Sequence, residues 1–73
     1  MNTNVHNKLI QNLIDTSIGD FEIHTLTRSL MFKLHSSAFS QELFDECKSY
    51  CLLLEREGKL VLRENGCFSR SIN

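Results

Sequence analysis

The clearest structural signal lies in residues 40–66, SQELFDECKSYCLLLEREGKLVLRENG. Ser40 is a good N-cap, because its side-chain oxygen can accept a hydrogen bond from a free N–H of the first helical turn. An apolar stripe then recurs at helical spacing up to Gly58, a residue type that commonly ends helices. A strand-like run follows, and Asn65-Gly66 is a strong signal for a tight hairpin turn because both residues tolerate positive φ. The segment predicts a capped helix from Ser40 to Glu57 followed by a β-hairpin.

The upstream half of the chain adds two amphipathic helices, because its apolar residues recur every three or four positions. The predicted elements are a helix over 4–16 capped by Thr3 or Asn4, an extended segment over 21–23, a helix over 26–34 capped by Thr25, and strands over 59–64 and 67–72. The predicted core consists of Leu9, Leu13, Leu30, Leu34, Leu43, Cys47, Cys51, Leu54, Leu60 and Leu62. This order predicts an α+β fold, a winged helix-turn-helix that forms one domain over 1–73, with the hairpin as the wing.

The charge is nearly balanced overall and uneven along the chain. Eight cations and nine carboxylates give a net charge of −1, which excludes a protein that holds nucleic acid by bulk charge. Residues 41–57 carry two cations and five carboxylates, whereas residues 58–73 carry three cations and one carboxylate. The third helix is therefore acidic and the wing basic. The expected DNA-binding residues are Lys48, Ser49, Lys59, Arg63, Arg70, Arg28 and Lys33. The expected partner-binding residues are Asp45, Glu46, Phe44 and Leu52.

The cysteines fit a reduced compartment. Their number is odd, so no paired disulfide framework of the secreted kind is visible. Cys47 and Cys51 lie one helical turn apart and are expected in the core; as metal ligands they would need His35 or Cys67 to complete a site. No apolar run approaches the roughly 18 residues of a membrane span, and no signal peptide is recognisable. We therefore expect a cytoplasmic protein without membrane contact.

Catalysis is not expected. His6, His24 and His35 fall on separate elements, and no third group is placed to orient a histidine beside a nucleophile. No glycine-rich phosphate-binding loop is present. The chain is predicted not to be an enzyme and to use no cofactor.

The stretch Tyr50–Gly58, YCLLLEREG, resembles the small fimbrial-operon regulators of the PapI/FaeA type. In that family an aromatic and leucine run, an acid-base-acid triplet and a glycine lead into the wing. The resemblance implies a winged-helix transcriptional co-regulator that works on promoter DNA with a larger bacterial regulator, through the third helix. Asp45 and Glu46 depart from the family, which favours neutral or basic residues at these positions.

Two alternatives remain at this stage. The first is a protein-only adaptor that binds a larger regulator or a nucleoprotein complex through the acidic face of the third helix. The second is a winged-helix protein tied to ferrous-iron uptake, since Gly66-Cys67-Phe68-Ser69 is loosely similar to that family, which has several cysteines in the wing. In each case we expect a monomer or a weak homodimer.

Overall fold

Three helices and a terminal hairpin follow one another in the predicted order. The structure, a computed structural model, describes residues 6–71. Its elements are α1 (Asn7–Asp15), α2 (Ile23–Lys33), α3 (Gln41–Arg56), β1 (Leu60–Leu62) and β2 (Phe68–Arg70). Helix α2 contacts both α1 and α3, and β1 contacts α3. The predicted α+β class is confirmed, with the helix and hairpin layout of a winged helix-turn-helix.

Helix α3 begins and ends at the predicted signals. The Ser40 side chain accepts a hydrogen bond from the backbone N–H of Leu43 at 3.3 Å. At the other end Gly58 adopts a φ of +82°. Its N–H donates to the carbonyl of Glu55, and the N–H of Lys59 donates to the carbonyl of Leu54 at 2.8 Å. This Schellman arrangement satisfies the last carbonyls of the helix and directs the chain straight into β1.

The wing hairpin closes with a longer turn than predicted. Strands β1 and β2 pair antiparallel, with Leu62 opposite Phe68. The N–H of Arg63 donates to the carbonyl of Cys67, so three residues rather than two make the loop. Of Asn65 and Gly66, only the glycine has a positive φ, at +89°. The predicted two-residue turn is therefore wrong, because a left-handed glycine after an ordinary turn also matches the strand twist.

The start of α2 is fixed by a contact distant in sequence. Phe21 and Phe68 exchange both backbone hydrogen bonds, at 2.9 and 2.7 Å, so Phe21 is an isolated third strand position beside β2. The chain leaves this bridge through Glu22, which is the N-cap, and α2 begins at Ile23. The predicted cap at Thr25 is wrong, since Thr25 lies inside the first turn of the helix.

The core lies between the three helices and the inner face of the wing. Its buried apolar residues are Ile10, Ile14, Phe21, Leu26, Leu30, Leu43, Cys47, Cys51, Leu54, Leu60 and Phe68. Six of the ten predicted core residues are among them. Leu9, Leu13 and Leu34 are only partly buried. In α1 the neighbouring Ile10 and Ile14 face inward instead, and Leu34 lies at the C-cap of α2. Leu62 is 48% exposed near the wing tip, so its place in the predicted core is wrong.

Parts of the predictions fall on residues that the structure does not describe. The proposed caps Thr3 and Asn4, and the end of the second strand at Ile72, lie outside the described residues. Within residues 6–71, every helix is too short or too polar to cross a membrane.

Candidate nucleic-acid and partner interface

The outward face of α3 is a candidate surface on an element that the sequence also singled out. Asp45, Lys48, Ser49, Leu52 and Arg56 are all exposed, and their spacing of three, four or seven residues sets them on one side of the helix. The core residues of α3 lie on the opposite side. We call these five residues the α3 outer face. It combines two cations with one carboxylate, and the exposed carboxylates of Glu42 and Glu55 border it at the same helical spacings.

Two of the predicted site residues differ in their surroundings on α3. The Asp45 carboxylate accepts a hydrogen bond from the Gln41 side-chain amide at 3.0 Å and stays at the surface. Glu46 instead points toward α1, where its Oε1 accepts from the His6 ring Nδ1 at 2.8 Å. Both acids were predicted from the sequence to be exposed residues of a partner-binding face. The predicted exposure is wrong for Glu46, because its carboxylate is partly buried against α1. Only Asp45 remains on the α3 outer face.

The two wing arginines hold the wing to the connection between α1 and α2. Arg70 donates from its two terminal nitrogens to the backbone carbonyls of Asp15 and Ser17, at 2.7 and 2.9 Å. Arg63 donates from Nε to the Ser69 hydroxyl at 2.9 Å, and that hydroxyl bonds to the Asp20 carboxylate. Two of the three cations that make the wing basic in the sequence therefore use their side chains for hydrogen bonds within the molecule.

The remaining predicted cations lie on α2, on α3 and in the segment between α3 and β1. Lys59 follows α3 and forms an exposed ion pair with Glu57 at 3.5 Å, a kind of pair that adds little stability. Lys48 is exposed on the α3 outer face. Arg28 and Lys33 lie on α2, where they border a groove between α1 and α2. The predicted cation set is thus divided between separate surfaces.

Exposed apolar residues occur on both α3 and the wing. Leu52 and Leu53 in the last turns of α3, and Val61 and Leu62 in β1, are each about 40–50% exposed. Phe44 lies elsewhere, half-buried in an aromatic cluster with His24 and Phe39, whose ring centroids are 5.7 and 6.1 Å from its own. Leu52 therefore fits a contact surface, whereas Phe44 packs mainly within its own cluster.

The cysteine pair belongs to the core. Cys47 and Cys51 are fully buried, and burial raises the pKa of Cys51 to about 12 and that of Cys47 above its ordinary value. Metal binding needs the thiolate, which such burial disfavours. His35 is exposed in the turn after α2, and Cys67 is in the wing. Over residues 6–71 no three His, Cys, Asp or Glu side chains are grouped to hold a metal ion.

The exposed residues of this region that were not selected from the sequence include Arg56, Leu53 and Val61. Arg56 lies seven residues after Ser49, a helical spacing that could have placed it on the same face. Val61 lies on the opposite face of β1 from Leu60, so strand alternation could have indicated its exposure, whereas Leu53 lies beside the buried Leu54 and carried no such signal.

No protein-family model, curated protein or solved structure matches the chain. The resemblance to fimbrial-operon regulators stays a prediction.

Proposed function

We propose that this chain is a small, non-catalytic winged-helix co-regulator that binds DNA, or a regulator already bound to DNA, through the α3 outer face and the wing. One observation carries the proposal: Lys48, Ser49 and Arg56 share the exposed side of α3, while Glu46 is turned away toward His6. In winged helix-turn-helix folds the corresponding helix is the element that enters the major groove.

The chemistry of this face suits backbone contacts more than base reading. Lys48 and Arg56 can pair with phosphate oxygens, and the Ser49 hydroxyl can donate to them. Asp45 repels phosphate unless it meets a donor such as the cytosine amino group. Because the chain has few cations on this face and a net charge of −1, we expect it to bind DNA weakly in the absence of a partner.

A larger regulator would supply the missing affinity. This agrees with the sequence resemblance to small fimbrial-operon co-regulators, which work beside such a protein on promoter DNA. It also suggests action in the bacterial cytoplasm, where free thiols such as the three described here stay reduced. The partner is then a DNA-bound transcription regulator.

A protein-only adaptor is the second candidate. The exposed neighbouring side chains of Leu52 and Leu53 on α3 favour it, because exposed apolar groups often mark protein contacts. In that case Asp45 would meet a basic group of the partner. The two candidates differ in whether DNA contributes to binding.

Fluorescence anisotropy with a labelled mixed-sequence duplex tests the proposal. Lys48→Glu should weaken DNA binding by about tenfold. Lys48→Ala should reduce by about 1 the magnitude of the slope of the logarithm of the binding constant against the logarithm of the salt concentration. Lys8→Glu is the matched control, because Lys8 is an exposed cation on α1, away from the α3 outer face. Equal loss in both charge reversals would mean that bulk charge, not this face, binds DNA. Undetectable binding, with or without host-cell extract, would favour the adaptor.

A further inference from the structure

A groove between α1 and α2 forms a second surface, separate from the α3 outer face. It is lined by Leu13 of α1 and by Thr25, Arg28, Ser29, Phe32 and Lys33 of α2. None of these residues lines the cleft beside the wing arginines. Neighbouring members of the α2 set, such as Thr25 and Arg28 or Ser29 and Phe32, are three or four positions apart along the helix. The set therefore forms one continuous outward face of α2. We call this surface the α1–α2 groove.

Phe32 is the unusual residue of the α1–α2 groove. Its exposed fraction is 82%, although full burial of a phenylalanine side chain contributes about 1.5–3 kcal/mol. A single exposed apolar residue is ordinary on a convex surface. Here the ring borders a shallow, open concavity that the partly buried Leu13 also lines, so an incoming apolar side chain can contact both residues.

The charged residues of α2 make the groove electropositive. The helix contains Arg28 and Lys33 and no acidic residue. Among the described residues neither cation has a carboxylate within ion-pair distance, since the ion pairs found there join His6 to Glu46 and Lys59 to Glu57. The groove therefore presents an exposed aromatic ring beside two uncompensated positive charges.

We propose that the α1–α2 groove docks an acidic segment of a partner protein that carries a large apolar side chain, as an amphipathic helix does. The apolar side chain packs against Phe32 and Leu13, and flanking carboxylates pair with Arg28 and Lys33. This is the helix-in-groove mode, in which apolar anchors supply affinity and complementary charge supplies specificity.

The lining favours a protein segment over a nucleic-acid strand. Strands without sequence preference are bound by several stacking rings along a cationic track. This groove has one ring, and its α1 wall contributes the apolar Leu13 rather than a cation. A second copy of the chain is a weaker match, because its most acidic helix also carries Lys48 and Arg56.

The experiment titrates the full chain into a fluorescein-labelled synthetic helical peptide with leucines on one face and glutamates on the other. The peptide should bind, and Phe32→Ala and Arg28→Glu should each weaken binding by about tenfold, equivalent to about 1.4 kcal/mol. Phe39→Ala and Lys8→Glu are the matched controls, an exposed aromatic and an exposed cation outside the groove. Their effect should be within about twofold. Circular dichroism checks that each variant stays folded.

Three outcomes would overturn the proposal. The first is absence of binding, or binding that Phe32→Ala leaves unchanged. The second is equal binding of a peptide in which the glutamates are replaced by glutamines, which would mean that carboxylates do not contribute to binding. The third is stronger competition by a single-stranded oligonucleotide, or by unlabelled chain, than by unlabelled peptide. DNA binding by the α3 outer face is measured separately, so either proposal can fail while the other stands.

Discussion

At the level of single residues, His35 ends α2 with the backbone geometry that Gly58 gives to α3. His35 has a φ of +59°, and the N–H of Ser36 after it donates to the carbonyl of Met31 at 2.9 Å. This is the same Schellman closure, with a side chain at the left-handed position. A Cβ in that conformation is disfavoured by roughly 1–2 kcal/mol.

The two positions form a matched pair of substitutions. His35→Gly should raise the free energy of unfolding by about 1 kcal/mol, and Gly58→Ala should lower it by a similar amount. Nothing lies within 4 Å of a Cβ built on Gly58, so its substitution reports backbone strain rather than a clash. Urea denaturation measures both. A loss of stability in His35→Gly would contradict the assigned backbone conformation.

The thiols give a second test at this scale. Because burial raises the pKa of Cys51 to about 12 and also raises that of Cys47, both stay protonated and enclosed near neutral pH. The thiolate is the reactive form, so neither should react with a thiol reagent in the native protein. A disulfide reagent should modify the partly exposed Cys67 first and all three cysteines in denaturant. Rapid native reaction of the Cys67→Ser variant would contradict this burial.

At the level of elements, sequence and structure agree where local signals determine the outcome. The Ser40 cap, the Gly58 stop and the hairpin follow from residues close to one another in the chain. The start of α2 does not, because it depends on the pairing of Phe21 with Phe68. In α1, Leu9 and Leu13 repeat with the same period as Ile10 and Ile14, so periodicity cannot say which pair faces the core.

The same distinction applies to the candidate interface. Exposure of Asp45, Lys48 and Leu52 follows from their position opposite the apolar stripe of α3. The partners of Glu46 and Arg70 lie 40 to 55 residues away, so no local pattern could predict these contacts. Hydrogen bonds of this kind form only when the helices and the wing pack together.

Leu54 and Leu62 test the assigned faces of α3 and β1. Leu54 is 4% exposed, and its replacement by Ala should lower the free energy of unfolding by about 2–5 kcal/mol. Leu62→Ala should lower it by less than about 1 kcal/mol, because the side chain is half in solvent. Chemical denaturation measures both variants. A large loss at Leu62 with a small loss at Leu54 would reverse the assignment.

Arg70 tests the tie between the wing and the end of α1. Arg70→Ala should lower the free energy of unfolding by about 1 kcal/mol, since two charge-assisted hydrogen bonds to carbonyls are lost from a solvent-exposed site. Arg70→Lys should restore only part of this, because a lysine cannot reproduce the planar fork. Amide hydrogen exchange at residues 14–18 should become faster in the Ala variant. Unchanged exchange there would contradict the tie.

At the level of the whole molecule, the near-zero net charge conceals surfaces of different character. The α3 outer face carries two cations, one carboxylate and a leucine, the wing engages its arginines internally, and α2 carries two cations and no acid. A domain built in this way has little affinity for DNA from charge in general. We expect it to act as a bridge, with α3 toward the nucleoprotein complex and the α1–α2 groove toward an acidic segment of a partner.

The most direct test of the nucleic-acid claim is an amide chemical-shift map of the full chain on addition of duplex DNA at low salt. We predict that the largest shifts fall on Lys48, Ser49, Leu52 and Arg56, with smaller shifts in the wing, and that they diminish as salt rises. Shifts confined to α1 and α2, with none on the α3 outer face, would contradict it.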